Sequence, residues 1–260
     1  MNMKTKPLEI KQVDLLEIQV YHTRKEMGES AAEQVIERMK QLISQQGQVR
    51  MIFASAPSQN EFVDRLAQAD GIDWSKVTAF HMDEYIGLPA DAAQKFSTYI
   101  CERLFNRVRP GRIHLIDGTG SGEEECRRYA QLLQEQPIDI VCLGIGENGH
   151  LAFNDPPVAD FHDPVWVKPV ELDAVCRQQQ VNDGCFPHVN DVPTHALTLT
   201  IPALMSGKHL YCIVPGATKR EAVNKALFGS ITTDCPASIL RTHTNCTLFV
   251  DTDAYGVDQI

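Results

Sequence analysis

The apolar positions of this chain follow two spacings in turn, and together they predict alternating helices and strands. Apolar side chains between residues 31 and 43 share one helical face. Short apolar runs typical of buried strands occupy residues 49–54, 77–82, 113–115, 138–143, 210–214 and 246–250. Helical patterns over 98–106, 122–134 and 218–227 lie between them. Strands that alternate with helices predict an α/β fold of βαβ units with a mainly parallel sheet.

Four polar segments each follow one of these strands. They are residues 55–61, 83–85, 144–155 and 215–219. In open α/β sheets, ligands bind outside the carboxyl ends of the strands. We therefore expect the four segments to converge on one crevice, which is typical of an enzyme that acts on a small molecule.

The segment after the strand 138–143 reads G-I-G-E-N-G-H-L-A-F-N-D and carries candidate acid–base chemistry. His150 can exchange a proton near neutral pH, and Asn148 and Asp155 can orient its imidazole. Asp83, directly after His81 and Met82, is a candidate general base. The alternatives are a structural histidine and a carboxylate that caps a turn.

Two other catalytic arrangements lack support in the sequence. The G-x-S-x-G string of a Ser/His/Asp triad is absent. A metal site needs clustered ligands, and His150 and Asp155 supply only two, with no third identified. We therefore expect no metal site.

Candidate anion-binding residues stand at two predicted helix starts. Lys219 follows P-G-A-T after a strand, although the chain has no Walker motif. Ser58 and Glu61 form the pattern of a capping box, and Ser55 and Gln59 belong to the same loop. Arg177 lies on the weakly patterned segment 156–192, which we interpret as a lid. The alternative for these charged residues is an ordinary solvated surface.

Composition narrows the class of protein further. The 260 residues carry a formal net charge of -10, which argues against a nucleic-acid partner and offers no basic stripe to a membrane. The N-terminal residues lack the apolar core of a signal peptide, and no apolar run reaches the ~18 residues of a membrane helix. Eight cysteines without a C-x-x-C pair predict free thiols in the cytoplasm. We expect one domain over residues 1–260.

Several motifs together resemble one known family. They are M-D-E-Y at 82–85 with G-L at 87–88, G-x-G-x-x-G-H-x-A-F-N at 144–154, D-V-P at 191–193 with A-L-T at 196–198, G-x-x-K at 216–219 and P-A-S at 236–238. This set is similar to the glucosamine-6-phosphate deaminases (isomerases). The related 6-phosphogluconolactonases usually have Arg where Tyr85 stands and a different glycine block, so the deaminases fit better.

The resemblance implies a Rossmann-like three-layer sandwich and an aldose–ketose isomerisation coupled to loss of ammonia. It implies that His150 opens the sugar ring, that Asp83 moves a proton from C2 to C1, and that Lys219 holds the phosphate. It implies no metal and no redox cofactor.

The chain departs from the family pattern at four places. Asn148 replaces a frequent acid, and Asp155 replaces a Glu. The loop 55–60 has no glycine, and the lid Arg of the family aligns nearer Gln180, one helical turn from Arg177. The last two departures affect phosphate recognition, so the phosphorylation of the substrate stays open. The sequence does not give the epimer (gluco or galacto) either, and a homo-oligomer stays possible.

Two other functions remain as alternatives. One is hydrolysis of a sugar-phosphate lactone by the same histidine. The other is a non-catalytic sugar-phosphate sensor, which could lose Asp83 and His150 and would carry a helix-turn-helix. Both residues are present, and no basic segment of the sequence offers such a motif.

Overall fold

A computed structural model of the protein describes residues 5–120 and 122–256, and an eight-stranded sheet forms its centre. The strands lie in the order β1 (Glu9–Val13), β2 (Leu16–Tyr21), β11 (Cys246–Asp251), β10 (His209–Val214), β7 (Ile140–Leu143), β3 (Val49–Phe53), β4 (Val77–His81) and β6 (Arg112–His114). Neighbours are parallel except for the antiparallel pair β1 and β2. The mainly parallel α/β sheet is confirmed.

Helices cover both faces of this sheet. The helices of the described residues are α1 (Arg24–Gln46), α2 (Asn60–Leu66), α3 (Phe96–Ile100), α4 (Asn106–Val108), α5 (Gly122–Gln134), α6 (Ala174–Asn182), α7 (Ile201–Met205), α8 (Arg220–Phe228) and α9 (Thr252–Tyr255), of which α6 packs beside a second sheet. A π-helical turn, Cys101–Phe105, joins α3 to α4. Core residues of α1, α2 and α3 pack on one face, and those of α5, α7 and α8 on the other. The predicted three-layer sandwich follows from this arrangement.

The strand sequences explain why both faces are buried. In β7, Ile140 and Cys142 point into one core, and Val141 and Leu143 point into the other. Side chains of a strand alternate between its faces, so a continuous apolar run fits a strand covered on both sides.

A second, antiparallel sheet lies beside the first and was not predicted. It comprises β5 (Asp83–Tyr85), β9 (His195–Leu199) and β8 (Val167–Glu171). It packs around an aromatic cluster in which the ring of Tyr85 lies 4.7 Å from that of Phe96 and 5.6 Å from that of Phe153, measured between centroids. Segment 156–192 therefore contains a strand and a helix, β8 and α6.

The strand order places a crevice at one edge of the main sheet. From β3 the chain continues to β4 and β6 on one side and then returns to β7 on the other side. This reversal is a topological switch point, where the loops that leave adjacent strands diverge and open a crevice. The candidate site lies there, outside the carboxyl ends of β3 and β7.

Two further expectations concern the chain as a whole. Within residues 5–120 and 122–256, no helix is both long and apolar enough to cross a membrane. All eight cysteines are free thiols, six of them buried and two, Cys101 and Cys185, half-buried.

Candidate active site

A pocket opens at the switch point, outside the carboxyl ends of β3 and β7. All four predicted polar segments reach it, which confirms their convergence. Its ionisable lining residues, among those the structure describes, are Asp83, His150 and Lys219. Its other lining residues include Ser55, Ser58, Gln59, Met82, Phe96, Gly144, Gly146, Phe153, Gln179 and Gln180.

Asp83 begins β5 and faces this pocket from a buried position. Burial in the protein, with the neighbouring charge of Glu84 as a second cause, raises the pKa of Asp83 to about 8. Glu84 points the other way, where its carboxylate accepts hydrogen bonds from the backbone N–H groups of Tyr85, Phe96 and Ser97 and from the Ser97 hydroxyl. Glu84 thereby fixes the backbone beside Asp83.

Asn148 and Asp155 hold the imidazole of His150 from behind. The Nδ1 atom of His150 lies 2.8 Å from the Asn148 side-chain oxygen and 2.9 Å from Asp155 Oδ1. Both neighbours are acceptors, because Asn148 Nδ2 donates to Asp155 Oδ1 at 2.9 Å and so fixes the amide orientation. Nδ1 therefore carries the proton, and the lone pair of Nε2 is left for a ligand in the pocket.

Asp155 is an ionised partner for this histidine. Burial would raise the pKa of Asp155, but the hydrogen bond and charge of His150, the Asn148 side chain and the backbone of Asp173 together lower it. A carboxylate at this position stabilises the imidazolium that forms when Nε2 accepts a proton. The arrangement suits reversible proton transfer at His150.

Glycine at position 146 is required by the imidazole. A Cβ at Gly146 would overlap the ring atoms of His150. The glycine-rich turn therefore lets the histidine ring lie directly against backbone.

We expect Gly146→Ala to lower kcat/KM by about 10- to 100-fold, because the methyl group must push the His150 ring by about 1 Å. Steady-state kinetics on the purified variant measures the effect. Gly120→Ala is the matched control, since a Cβ there meets no atom within 4 Å. Near-normal kcat/KM for Gly146→Ala would show that the ring position does not matter.

Three polar atoms of residues from two other segments that line the pocket lack a partner in the part of the chain that the structure describes. The Ser55 hydroxyl, the Gln59 Oε1 atom and the Lys219 ammonium are buried, and none has a hydrogen-bond partner among the described residues. Burial lowers the pKa of Lys219, while the charges of Asp183 and Glu147 oppose that effect. Buried polar groups normally have partners, so these atoms favour a polar ligand in the pocket.

The structure does not bring Arg177 to the pocket. Its guanidinium donates to the backbone oxygens of Val189 (2.7 Å) and Val192 (2.9 Å), so it ties α6 to the turn that follows. The capping box at Ser58 and Glu61 is also wrong, because α2 has no side-chain cap and Glu61 pairs with Arg24 instead. Ser58 accepts a hydrogen bond from Gln59 Nε2.

Residues of α6 were missed by the sequence analysis. Gln179 accepts a hydrogen bond from the backbone N–H of Glu147 (2.8 Å), and Gln180 accepts one from the Tyr85 hydroxyl (2.8 Å). Cys176 approaches His150 and Asp155. The run C-R-Q-Q-Q gave no signal for this, because its register on the helix depends on how segment 156–192 packs.

The chain is similar in sequence and in structure to known glucosamine-6-phosphate deaminases. A glucosamine-6-phosphate deaminase of Bacillus cereus (strain G9842) is 38% identical over 187 residues, which cover 72% of this chain and 70% of that protein. The solved structure of a monomeric glucosamine-6-phosphate deaminase matches with a TM-score of 0.84 at 30% identity, covering 91% of this chain and 98% of that one.

A 6-phosphogluconolactonase from Thermotoga maritima shares the fold, with a TM-score of 0.74 at 20% identity over 93% of this chain and 100% of that one. A family model described as glucosamine-6-phosphate isomerases/6-phosphogluconolactonase matches residues 22–249. The chain belongs to this glucosamine-6-phosphate isomerase/6-phosphogluconolactonase family.

Proposed function

We propose that this protein is an amino-sugar phosphate deaminase/isomerase that converts an aldohexosamine 6-phosphate, with glucosamine 6-phosphate as the first candidate, into a ketose 6-phosphate and ammonia. The names of the relatives support the reaction class. The observation that supports this function most strongly is the set of groups that line one pocket. They are the buried carboxylate of Asp83 with its raised pKa, the oriented imidazole of His150 and the buried ammonium of Lys219. The overall reaction consumes one water molecule.

His150 opens the sugar ring in this proposal. Its Nε2 atom takes the proton of the O1 hydroxyl and returns a proton to the ring oxygen, which leaves an open-chain aldehyde. Asn148 and Asp155 keep Nδ1–H oriented during both transfers. The oriented imidazole thus acts as acid and base in turn.

Asp83 performs the isomerisation. Its carboxylate removes the C2 proton, which the neighbouring aldehyde makes acidic, and delivers that proton to C1, while the amino group loses one proton and O1 gains one. The resulting imine at C2 then takes up water and releases ammonia. A carboxylate with a raised pKa is a stronger base than an exposed one, and it keeps the proton long enough to deliver it.

The anion of the substrate is bound by donors on two loops. Lys219 supplies a positive charge, and the Ser55 hydroxyl supplies a second donor. The free atom of Gln59 is an acceptor, because its Nε2 donates to the backbone oxygen of Ile213 at 3.1 Å and to Ser58. Gln59 is therefore suited to a sugar hydroxyl rather than to a phosphate oxygen.

Segment 156–192 acts as a lid in this proposal. Two glutamines of α6 line the pocket, and their side chains accept hydrogen bonds from the Glu147 backbone and the Tyr85 hydroxyl. Movement of α6 would break these bonds and open the pocket. Closure around substrate would exclude water from the reacting atoms.

We further propose a cytoplasmic location, supported by eight free thiols, two of them half-buried. A small sugar phosphate is the proposed partner, rather than nucleic acid or a membrane. Light scattering on the purified protein decides between a monomer and a homo-oligomer.

The pH dependence of activity follows from Asp83. Below its raised pKa of about 8 the carboxyl is protonated and cannot accept the C2 proton, so we expect kcat/KM to rise as the pH increases from 6 to 9. Initial rates across this range test it. The residual activity of Asp83→Asn should lack this rise, and a wild-type profile that is flat or falls would contradict the assignment.

An ammonia-release assay across amino-sugar phosphates, with a lactone substrate as control, tests the function itself. We expect ammonia and ketose in equal amounts from glucosamine 6-phosphate or its galacto epimer, and little hydrolysis of 6-phosphogluconolactone. Rapid lactone hydrolysis without ammonia release would replace the proposed function by the lactonase alternative. Binding of the sugar phosphate without either reaction would indicate a sensor.

A further inference from the structure

A third potential metal ligand accompanies His150 and Asp155. Ligand atoms of His150, Asp155 and Cys176 all lie within 4.8 Å of one another. The residues are 7%, 1% and 1% exposed, so the cluster is shielded from bulk water. The first two follow β7, whereas Cys176 comes from α6, so the cluster joins the catalytic turn to the helix that covers it.

The cluster has unused coordination capacity. Asp155 Oδ1 contacts His150 and Asn148, but Asp155 Oδ2 is buried without a hydrogen-bond partner among the described residues. The thiol of Cys176 is buried next to this carboxylate. Burial, the charge of Asp155 and a hydrogen bond to Asp155 raise the pKa of Cys176 well above its usual value. One buried carboxylate thus has both a thiol and an imidazole as neighbours.

This donor set matches the chemistry of zinc. Thiolate, imidazole and carboxylate bind Zn²⁺ at about 2.3, 2.0–2.1 and 2.0–2.2 Å, which in a tetrahedron sets the donor atoms about 3.3–3.8 Å apart. Side-chain shifts of about 1 Å bring the cluster to that spacing. One thiolate and one carboxylate also balance the two charges of the ion, which a buried site requires.

We propose that His150, Asp155 and Cys176 form a binding site for Zn²⁺, and that zinc bound there inhibits the enzyme. Binding breaks the S–H bond of Cys176 and the Nδ1–H bond of His150 and forms a Zn–S and a Zn–N bond. One proton goes to solvent and Nε2 of His150 takes the other, with no change of oxidation state. The ion occupies donor atoms of the pair that orients and performs proton transfer at His150. The inhibition rests on the proposed function, whereas the binding does not.

Binding is tested with Co²⁺ as a spectroscopic substitute for zinc on the full-length, chelator-treated protein. We expect a thiolate-to-cobalt charge-transfer band in the wild type that Zn²⁺ abolishes by displacement. The band should be absent from Cys176→Ala and Cys176→Ser. Cys101→Ala, which removes one of the two half-buried thiols, is the control and should keep it.

Inhibition is tested in the deaminase assay with zinc added. Loss of one ligand should raise the inhibitory zinc concentration at least about tenfold in Cys176→Ser, while Cys101→Ala should match the wild type. A charge-transfer band in Cys176→Ser, or equal zinc sensitivity in both variants, would overturn the site. A cobalt band in wild-type protein that releases no ammonia would uphold the site and refute the proposed function instead.

Discussion

Asp83→Asn should lower kcat at least about 100-fold and leave substrate affinity nearly unchanged. The amide has almost the same shape as the carboxyl group but cannot carry a proton from C2 to C1. Steady-state kinetics and titration with the ketose phosphate measure the two quantities. Asp91→Asn, an exposed carboxylate of the following loop, is the control and should keep normal turnover.

The same variant should fold at least as stably as the wild type. The pKa of Asp83 is about 8 in the folded protein, against an ordinary value of 3.8. Between these pH values the unfolded chain releases a proton that the folded chain retains. The free energy of unfolding of the wild type therefore falls by about 1.4 kcal/mol for each unit by which the pH rises. Asparagine has no such loss. Normal turnover in stable, purified Asp83→Asn would show that another group is the base.

Lys219→Ala should weaken binding of phosphorylated sugars about 10- to 150-fold, which corresponds to about 1.5–3 kcal/mol for a charge-assisted hydrogen bond. Lys219 is the cation of the pocket lining among the described residues, and the chain carries a net charge of -10. The ammonium group of Lys219 therefore supplies the positive charge for an anionic substrate. Glucosamine, which lacks the phosphate, should bind both proteins equally weakly.

Lys225→Ala is the matched control for this prediction. Lys225 lies on α8, is exposed, and pairs with Glu221 at 2.7 Å on the helix surface, so its loss should leave affinity unchanged. Equal losses with glucosamine and glucosamine 6-phosphate in Lys219→Ala would place the anion site elsewhere. Unchanged affinity for both would indicate a natural substrate without phosphate.

The predicted parts of the fold are those that depend on local patterns. The buried strand β7 is a continuous apolar run, and β3 and β10 are apolar except for Arg50 and His209; such runs mark parallel strands covered on both faces. The convergence of four polar segments follows from parallel topology alone. For this reason Asp83, His150 and Lys219 could be placed in one crevice before their distances were known.

The missed parts depend on long-range packing. β5 consists of Asp83, Glu84 and Tyr85, and two acidic residues do not favour a strand; pairing with β9 and the hydrogen bonds to Glu84 override that preference. The direction of Arg177 could not be predicted either, because its partners are backbone oxygens of Val189 and Val192. Spacing in sequence does not reveal such partners.

The most direct test of the account uses glucosamine 6-phosphate that carries deuterium at C2. Because Asp83 is buried and 8% exposed, a proton that it removes from C2 is shielded from solvent until it is delivered to C1. NMR of the product together with ammonia measurement gives the result. We expect equal amounts of ammonia and ketose 6-phosphate, with part of the deuterium at C1. Absence of ammonia, or a ketose with no deuterium at C1, would contradict it.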